Sequence, residues 1–271
     1  MKYFFFDIDG TLKPYGQRIP ESAKNTIRKL QQAGHRVFIA TGRRKNEIGK
    51  IMSETNINNA VCAGGATVII NNKVEKEEYY SEDELWNILS DCKKHNVIMV
   101  SVGYGRCYTC YDGLRLKPYI FIMKMYSKSK SFRVGSVEGC IGSNYTDIKV
   151  LSEEDFLKQP TQKLLFFNCK NIDKVKALRS YTIYDERIWK SIEFDFKEKG
   201  IEFIRERYDV DINDIIVFGD GINDISMFKY VNNSIAMGNS CEEIKKIASF
   251  VTLNAEEDGI EYACKYFGWI R

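Results

Sequence analysis

The sequence lacks three features that would place it in a membrane, nucleic-acid or histidine-rich metal class. No apolar run approaches the roughly 18 residues of a transmembrane helix. The 40 basic and 37 acidic residues are dispersed, and the net charge of +3 includes no long basic run. Only two histidines are present, so few imidazole ligands are available to a zinc ion. These absences predict a protein that has neither membrane nor nucleic acid as a partner.

Cysteine is present but gives no disulfide framework. The eight cysteines are scattered, mostly among apolar residues, and no signal-peptide-like segment precedes them. We therefore expect reduced thiols in a cytoplasmic protein. Cys107 and Cys110 have the spacing of a metal or redox pair, which leaves a thiol or zinc module as an alternative. Residues three apart in a strand face opposite sides, and no second cysteine pair lies nearby, so packing is the favoured interpretation.

The chemistry of the chain begins with its first eleven residues. An aromatic run, Tyr3 to Phe6, predicts a short buried strand that ends at Asp7-Ile8-Asp9-Gly10-Thr11. Residues i and i+2 of an extended chain point to the same side, so Asp7 and Asp9 can address one small space. Ligands bind at the carboxyl ends of strands in open α/β sheets, so two acids there predict a site. A polar turn is the alternative, because Asp and Gly dominate turns.

Later segments repeat this pattern of a buried strand that ends in polar residues. A helix at about 22–33 is followed by an apolar strand, residues 37–40, which stops at Thr41-Gly42. A strand, a helix and a strand at this spacing indicate a βαβ unit and hence a parallel sheet. Near the other end of the chain, strand 215–218 ends in Gly219-Asp220-Gly221-Ile222-Asn223-Asp224. The sequence therefore predicts that these polar residues share one sheet edge.

The middle of the chain has a different pattern. From about residue 81, aromatic-rich, strand-like segments alternate with predicted helices at 82–94 and about 173–180. We predict core segments at 1–80 and 190–271 and a separate α+β domain, residues 81–189, inserted between them. The chain, at 271 residues, is long enough for two hydrophobic cores.

Four segments resemble, in order, the motifs of the haloacid dehalogenase-like (HAD) phosphohydrolases. They are Asp7–Thr11, Ala40–Arg43, Lys199-Gly200 and Gly219–Asp224. Met227, Ala236–Ser240 and Glu257–Gly259 further resemble the Cof-type branch, the class IIB sugar-phosphatase-like group. The resemblance implies an α/β fold, with a Rossmann-like parallel-sheet core and an inserted α+β cap domain of type C2B. One departure is Gly64, where many relatives have asparagine.

The resemblance also implies a role for each matching residue. Asp7 would be the nucleophile and Asp9 the general acid and base. Substrate phosphate would be bound by Thr41, Gly42, Lys199 and Asn223. The cofactor Mg²⁺ would be held by Asp7, Asp9, Asp220 and Asp224.

These roles describe a Mg²⁺-dependent hydrolase of a small phosphomonoester that acts through an aspartyl-phosphate. Sugar phosphates, nucleotides and cofactor phosphates are the expected substrate classes. A phosphomutase or phosphotransferase is the nearest alternative, since it differs only in the group that receives the phosphoryl. A non-catalytic regulator that binds a phosphorylated ligand is a second alternative, and it would be expected to have lost Asp7 or Asp9.

Overall fold

The computed structural model describes residues 1–103, 106–127, 147–185 and 189–271. These residues form two compact units, one of Met1–Glu77 with Asp195–Arg271 and one of Glu78–Phe194. No helix in the described ranges is long and apolar enough to cross a membrane.

The first unit alternates strands and helices along both of its segments. Its strands are β1 (Tyr3–Phe6), β2 (Arg36–Ala40), β3 (Ala60–Cys62), β4 (Thr67–Ile70), β5 (Lys73–Glu77), β12 (Ile215–Gly219), β13 (Asn233–Ala236) and β14 (Phe250–Val251). Its helices are α1 (Glu21–Gln32), α2 (Lys45–Thr55), α6 (Lys197–Tyr208), α7 (Ile225–Tyr230), α8 (Glu242–Ile247) and α9 (Gly259–Tyr266). Single 3-10 turns lie at Ala63–Gly65, Ile212–Asp214, Ile222–Asp224 and Ala255–Glu257.

The sheet of the first unit has a doubly wound order, β14-β13-β12-β1-β2-β3-β4-β5. Strands β14 to β3 are parallel, and β4 and β5 add an antiparallel hairpin. The strand order reverses its direction along the chain between β1 and β12. In folds of this kind, that reversal is where ligands bind, outside the carboxyl ends of the strands. The fold class expected for the core is therefore confirmed.

Strand β1 is apolar throughout because both faces of the sheet are covered. Phe4 and Phe6 pack in one core cluster, with residues of α1, α2 and α9. Tyr3 and Phe5 pack in the other cluster, with residues of α6, α7 and α8. Alternation along the strand sends successive side chains into opposite layers, so a short continuous apolar run is what a doubly covered strand requires.

The second unit is an α+β domain, as the sequence predicts. Its mostly antiparallel sheet has the order β10-β11-β9-β6-β7-β8. These strands are β6 (Ile98–Val102), β7 (Cys107–Thr109), β8 (Ile148–Val150), β9 (Lys163–Phe167), β10 (Tyr184–Asp185) and β11 (Lys190–Glu193). The helices are α3 (Glu82–Lys94), α4 (Gly113–Ser127) and α5 (Glu153–Leu157), and 3-10 helices lie at Cys169–Lys174 and Lys176–Leu178.

The prediction of an α-helix at about 173–180 is wrong. The segment forms two short 3-10 helices, and Val175 between them has an extended backbone, with φ −75° and ψ 95°. Ile172, Val175 and Leu178 are all buried. Their spacing of three residues is the period of a 3-10 helix, whose side chains at i and i+3 eclipse. The prediction rested on Val175, Leu178 and Tyr181, whose spacing of three residues fits a short α-helix equally well.

Candidate active site

Two of the predicted acids lie where the strand order of the first unit reverses. Asp7 directly follows β1 and Asp220 directly follows β12, which are neighbouring parallel strands. The backbone N–H of Asp7 continues the pairing by donating to the carbonyl of Phe218 at 3.0 Å. The two strands therefore deliver their first polar side chains to the same sheet edge.

A third acid completes a compact group. Asp7, Asp220 and Asp224 each offer a carboxylate oxygen, and these oxygens lie within 4.8 Å of one another. All three residues are buried, with Asp7 and Asp220 5% exposed and Asp224 fully covered. We refer to these three residues as the carboxylate group. The structure thus brings Asp7 together with two acids that lie more than 200 positions later in the sequence.

The lysine in contact with this group is Lys197 and not Lys199, which corrects the residue chosen from the sequence. The ammonium of Lys197, on a side chain only 1% exposed, donates to Asp7 Oδ1 at 2.7 Å and to Asp224 Oδ1 at 2.6 Å. Lys199 is exposed, and its ammonium lies over the Phe196 ring, 4.4 Å from the ring centre. Residues two apart on a helix are separated by about 200°, so the two lysines of α6 face opposite ways.

Close backbone packing fixes the start of α6 and therefore Lys197. The N–H of Phe196 donates to the carbonyl of Gly64 at 2.9 Å. Gly65, at φ +102°, lies so close that an added Cβ would be 2.2 Å from the Phe196 carbonyl oxygen. One turn later, a Cβ on Gly200 would lie 2.4 Å from Val61 Cγ1 of β3. Glycine is needed at both positions because the start of α6 lies too close to the Ala63–Gly65 turn and to β3 for any side chain between them.

Asp224 binds Lys197 to the loop that follows β12. Its Oδ1 accepts from the lysine, and its Oδ2 accepts from the backbone N–H groups of Asp220, at 2.9 Å, and Gly221, at 3.0 Å. A Cβ on Gly219 would lie 2.5 Å from Asp224 Oδ2, so the close fit of this carboxylate excludes a side chain there. Three donors hold Asp224, which suits it to fixing the lysine and the loop in place.

Asp220 is held by hydroxyl groups from the segment after β1. Thr11 Oγ1 donates to Asp220 Oδ1 at 3.1 Å, and the Tyr15 hydroxyl donates to Asp220 Oδ2 at 3.0 Å. Gly10, at φ +87°, lies against the same carboxylate, where an added Cβ would be 2.1 Å from Oδ2. Burial and the neighbouring Asp220 raise the pKa of Tyr15 above its ordinary value, which keeps the phenol protonated as a donor.

The carboxylate group carries more negative charge than Lys197 offsets. Burial, with added repulsion from Asp224 and Asp220, raises the pKa of Asp7 well above its ordinary value, although Lys197 opposes the shift. Burial and Asp224 raise the pKa of Asp220 to about 7. Burial alone would lower the pKa of Lys197, but Asp224 and Asp7 outweigh it and the pKa is raised, so the lysine stays charged.

Oxygen donors in this arrangement fit a divalent cation. When all three acids are ionised, three carboxylates and one ammonium leave two negative charges in a buried site, and a divalent ion would compensate both. Hard oxygen ligands are those that Mg²⁺ prefers. Among the described residues, this is the one group of three or more His, Cys, Asp or Glu side chains close enough to share an ion. Cys107 and Cys110 are not part of it, and Cys107 lies buried in β7.

Asp9 lies outside the carboxylate group and is paired with Arg43. The guanidinium donates from Nε to Asp9 Oδ2 at 2.7 Å and from Nη2 to Asp9 Oδ1 at 2.6 Å. Arg43 follows β2, the neighbour of β1, so the pair joins the ends of two adjacent strands. Asp9 retains partial exposure, with 26% of its side chain accessible, as a group that exchanges protons with a bound molecule needs.

The other predicted binding residues lie around the same edge. Thr41 is buried directly after β2, and its hydroxyl oxygen accepts from the N–H of Arg43 at 3.1 Å. Gly42 separates them in the same turn. Asn223 is partly exposed in the turn after β12, where a Cβ on Gly221 would lie 2.7 Å from its Oδ1. Gly64 adopts φ +62°, and its N–H donates to the Thr41 carbonyl at 3.1 Å, so this departure from the family pattern still supports the site through its backbone.

Three contributors were not identified from the sequence. Lys197 could have been found from the helical phase of α6, because it shares a face with the buried Gly200 and Ile201. Arg43 was noted only as part of a motif, although its position directly after a strand-ending Thr-Gly was a usable signal. For Tyr15, in an irregular segment after the first motif, the sequence gives no signal of a contact with Asp220.

Comparison with known proteins adds a family to this geometry. The family model described as haloacid dehalogenase-like hydrolase matches residues 4–264. The Bacillus subtilis (strain 168) protein named "Putative phosphatase YkrA" is 33% identical over 278 residues, which cover 100% of this chain and 99% of YkrA. From the same organism, the 5-amino-6-(5-phospho-D-ribitylamino)uracil phosphatase YitU is 24% identical over 285 residues, covering 96% of each chain.

Solved structures agree over the whole length. The structure described as the HAD subclass IIB sugar phosphatase BT4131 is 26% identical, with a TM-score of 0.73 and complete coverage of both chains. A hypothetical protein from Geobacillus kaustophilus HTA426, at 24% identity, has a TM-score of 0.81 and 99% coverage of both chains, which supports the fold.

Proposed function

Because this chain belongs to the haloacid dehalogenase-like hydrolases and is a phosphoric monoester hydrolase of the class IIB type, we propose that it hydrolyses a small phosphomonoester in a Mg²⁺-dependent reaction through an aspartyl-phosphate on Asp7. The observation that carries the proposal is the buried carboxylate group with Lys197 at the strand-order reversal. A sugar phosphate is the substrate class we favour, because the similar structure BT4131 is described as a sugar phosphatase.

Asp7 and Asp220 would hold the Mg²⁺ together with an oxygen of the substrate phosphate, whereas Asp224 acts mainly by holding Lys197. This division follows from the three hydrogen bonds that Asp224 accepts, against one for Asp7 and two for Asp220. When bound, the ion would offset the negative charge of the carboxylates and of the phosphoryl oxygens. A carboxylate nucleophile needs that compensation, because it must approach a group of its own charge sign.

The first step transfers the phosphoryl group to the protein. A carboxylate oxygen of Asp7 attacks phosphorus, and the bond between phosphorus and the substrate's alcohol oxygen breaks. Asp9 in its protonated form gives its proton to that leaving oxygen. Lys197 keeps the Asp7 carboxylate oriented, and Thr41, Gly42 and Asn223 bind the phosphoryl oxygens as hydrogen-bond donors.

The second step returns the free enzyme. Asp9, now ionised, removes a proton from water as its oxygen attacks phosphorus, and the bond between phosphorus and Asp7 breaks. Inorganic phosphate leaves, Asp7 regains its carboxylate, and Asp9 is protonated for the next cycle. Phosphoryl transfer to a sugar hydroxyl would use the same residues, with the hydroxyl in place of water.

We also propose a cytoplasmic location, since no disulfide joins the described cysteines.

Phosphate release from p-nitrophenyl phosphate and from a panel of sugar phosphates, nucleotides and cofactor phosphates tests the proposal. We expect wild-type activity with Mg²⁺, none with EDTA, and none in Asp7→Asn or Asp220→Asn. The matched control is Asp214→Asn, an acid that precedes β12 and pairs with Lys2 at 2.8 Å. Its activity should be unchanged, because it lies at the opposite end of the strand that delivers Asp220.

Covalent catalysis is tested by the mass of the protein. In Asp9→Asn with p-nitrophenyl phosphate, whose nitrophenolate leaves without needing a proton, acid quenching during turnover should trap a protein heavier by one phosphoryl group on the peptide that contains Asp7, because the base for the second step is missing. Unchanged turnover in Asp7→Asn would disprove the nucleophile. Product formation only with an added sugar acceptor, and without free phosphate, would instead establish a phosphotransferase.

A further inference from the structure

We propose that Tyr15 is a positioning residue for the metal site, with its phenol holding the Asp220 carboxylate in the orientation that binds Mg²⁺ beside Asp7. The inference rests on the proposed function, because it takes the carboxylate group to be the Mg²⁺ site. Tyr15 lies outside the four segments that carry the family resemblance. The motifs therefore assign Tyr15 no role, and the inference rests on its contacts in this structure.

The contacts of Asp220 carry the argument. Each of its carboxylate oxygens accepts one hydroxyl, Oδ1 from Thr11 at 3.1 Å and Oδ2 from Tyr15 at 3.0 Å. A carboxylate oxygen has two lone-pair directions, so each can accept a hydrogen bond and still face a cation. Carboxylates that ligate metals are themselves usually hydrogen-bonded, and these partners set the orientation of the ligand. Thr11 and Tyr15 together fix the plane of the Asp220 carboxylate.

Removing one of the two hydroxyls should allow the Asp220 carboxylate to rotate. The terminal torsion of an aspartate is broad, so a carboxylate held at only one oxygen samples a wider range of orientations. Asp220 is more dependent on such donors than Asp7, which accepts from the Lys197 ammonium. Loss of an outer hydrogen-bond partner typically lowers metal affinity by about 10- to 100-fold.

The segment that carries Tyr15 is anchored independently of its hydroxyl. Asn239 Nδ2 donates to the Gly10 carbonyl at 2.9 Å, and Gln17 Nε2 donates to Glu256 Oε1 at 2.7 Å. The Tyr15 ring borders an open surface pocket with Asn254, and the residue is 42% exposed. Removal of the hydroxyl therefore leaves no buried cavity, and Tyr15→Phe is expected to fold normally.

Calorimetric titration of MgCl₂ into the metal-free full-length protein tests the inference. We expect Tyr15→Phe to bind Mg²⁺ roughly tenfold more weakly than the wild type. Tyr262→Phe is the matched control, because Tyr262 on α9 is 44% exposed and packs beside Tyr266. It should bind Mg²⁺ as the wild type does. Circular dichroism of the three metal-free proteins should show the same fold, and at saturating Mg²⁺ the KM of Tyr15→Phe for p-nitrophenyl phosphate should equal that of the wild type.

A second variant separates the hydroxyl from the ring. Tyr15→Ala should lose the same Mg²⁺ affinity as Tyr15→Phe if the hydrogen bond is the cause. Equal affinity in wild type and Tyr15→Phe would overturn the inference, and so would tighter binding, which would mean that the phenol competes with the ion. If the wild type itself shows no Mg²⁺ binding and no Mg²⁺-dependent hydrolysis, the proposed function fails and this inference fails with it. A Mg²⁺-dependent wild type with an unaffected Tyr15→Phe overturns this inference alone.

Discussion

The guanidinium of Arg43 donates to both carboxylate oxygens of Asp9, with N–O distances of 2.7 and 2.6 Å. The two residues follow neighbouring strands, so the ion pair fixes the position of the proposed acid and base relative to the sheet edge. A planar guanidinium makes two parallel hydrogen bonds to one carboxylate, which a lysine ammonium cannot reproduce. Arg43 is thus suited to setting the orientation from which Asp9 exchanges its proton.

Arg43→Lys should therefore keep the charge but lose the orientation. We expect kcat to fall roughly 10- to 100-fold, as misplacement of a catalytic group by about 1 Å can do, with KM for a small aryl phosphate little changed. Steady-state kinetics at saturating Mg²⁺ measure both. Arg44→Lys is the control at the neighbouring position. Arg44, immediately before α2, pairs with Glu47 in the first turn of that helix at 2.8 Å. An unaltered kcat in Arg43→Lys would remove the orienting role.

Lys197 and Lys199 allow a test of the corrected assignment. Lys197→Met should reduce kcat/KM by about 10²- to 10³-fold, because the buried ammonium that orients Asp7 is lost. Lys199→Met should retain wild-type kinetics, since its ammonium lies over the Phe196 ring at the surface. The same assay on both variants decides between the two lysines. A severe loss confined to Lys199→Met would reinstate the residue chosen from the sequence.

Stability of the metal-free protein should fall as pH rises from about 4 to about 7. The pKa of Asp220 is about 7 in the folded protein against an ordinary 3.8, and burial also raises the pKa of Asp7. The folded state therefore binds more protons than the unfolded state in this window, so the free energy of unfolding decreases with pH. Each pKa unit corresponds to about 1.4 kcal/mol, which makes the expected loss a few kcal/mol.

Urea unfolding in EDTA at pH 5 and pH 7.5 measures this effect. Saturating Mg²⁺ should remove most of the loss, and Asp220→Asn should weaken the dependence because its side chain does not ionise. A metal-free stability that rises over the same range would contradict the prediction. So would a dependence that is identical in wild type and Asp220→Asn.

Gly65→Ala should damage both stability and activity. The alanine would have to keep an unfavourable positive φ, and its Cβ would lie 2.2 Å from the Phe196 carbonyl oxygen. Together, backbone strain and overpacking should cost roughly 2–5 kcal/mol of unfolding free energy. Activity should also fall, since Phe196 immediately precedes Lys197. Denaturant unfolding and phosphate release measure the two effects.

Gly34→Ala provides the control for backbone strain alone. Gly34 has φ +82°, yet an added Cβ would meet no atom within 4 Å. The substitution should cost about 1–2 kcal/mol and leave kcat unchanged. Equal stability losses at the two glycines would show that the structure around Phe196 shifts to accommodate the added Cβ at almost no cost.

The fold and the placement of Asp7 and Asp220 at one sheet edge could be predicted, because each acid follows a short apolar strand. Tyr3–Phe6 and Ile215–Gly219 are each buried on both faces, and the first acid after each lies at the sheet edge. Asn71 and Asn72, between β4 and β5, are a further local signal of this kind, because both adopt the positive φ that asparagine tolerates in hairpin turns. Whether a residue directly follows an apolar strand can be read from the order of residues alone.

The remaining part of the site depends on rotation and close packing. Choosing Lys197 over Lys199 required the phase of α6, which is set by the approach of Gly200 to Val61 on another element. The pairing of Arg43 with Asp9 and of Tyr15 with Asp220 depends on where two distant loops meet. Tertiary contacts of this kind leave no periodic pattern, so sequence periodicity alone does not reveal them.

The central position of β1 has a consequence for how the protein is made. Tyr3 pairs with Arg36 on one side but with Ile215 on the other, so β1 gains its second neighbour only when most of the chain has left the ribosome. Contacts between residues this far apart form slowly, because a long loop must be closed first. Until then the aromatic strand retains an open edge, and the inserted unit, complete at Phe194, is free to fold earlier. The complete site is thus assembled only at the end of synthesis, and a chain released before Lys197 has Asp7, the proposed nucleophile, but neither Lys197 nor Asp220 beside it.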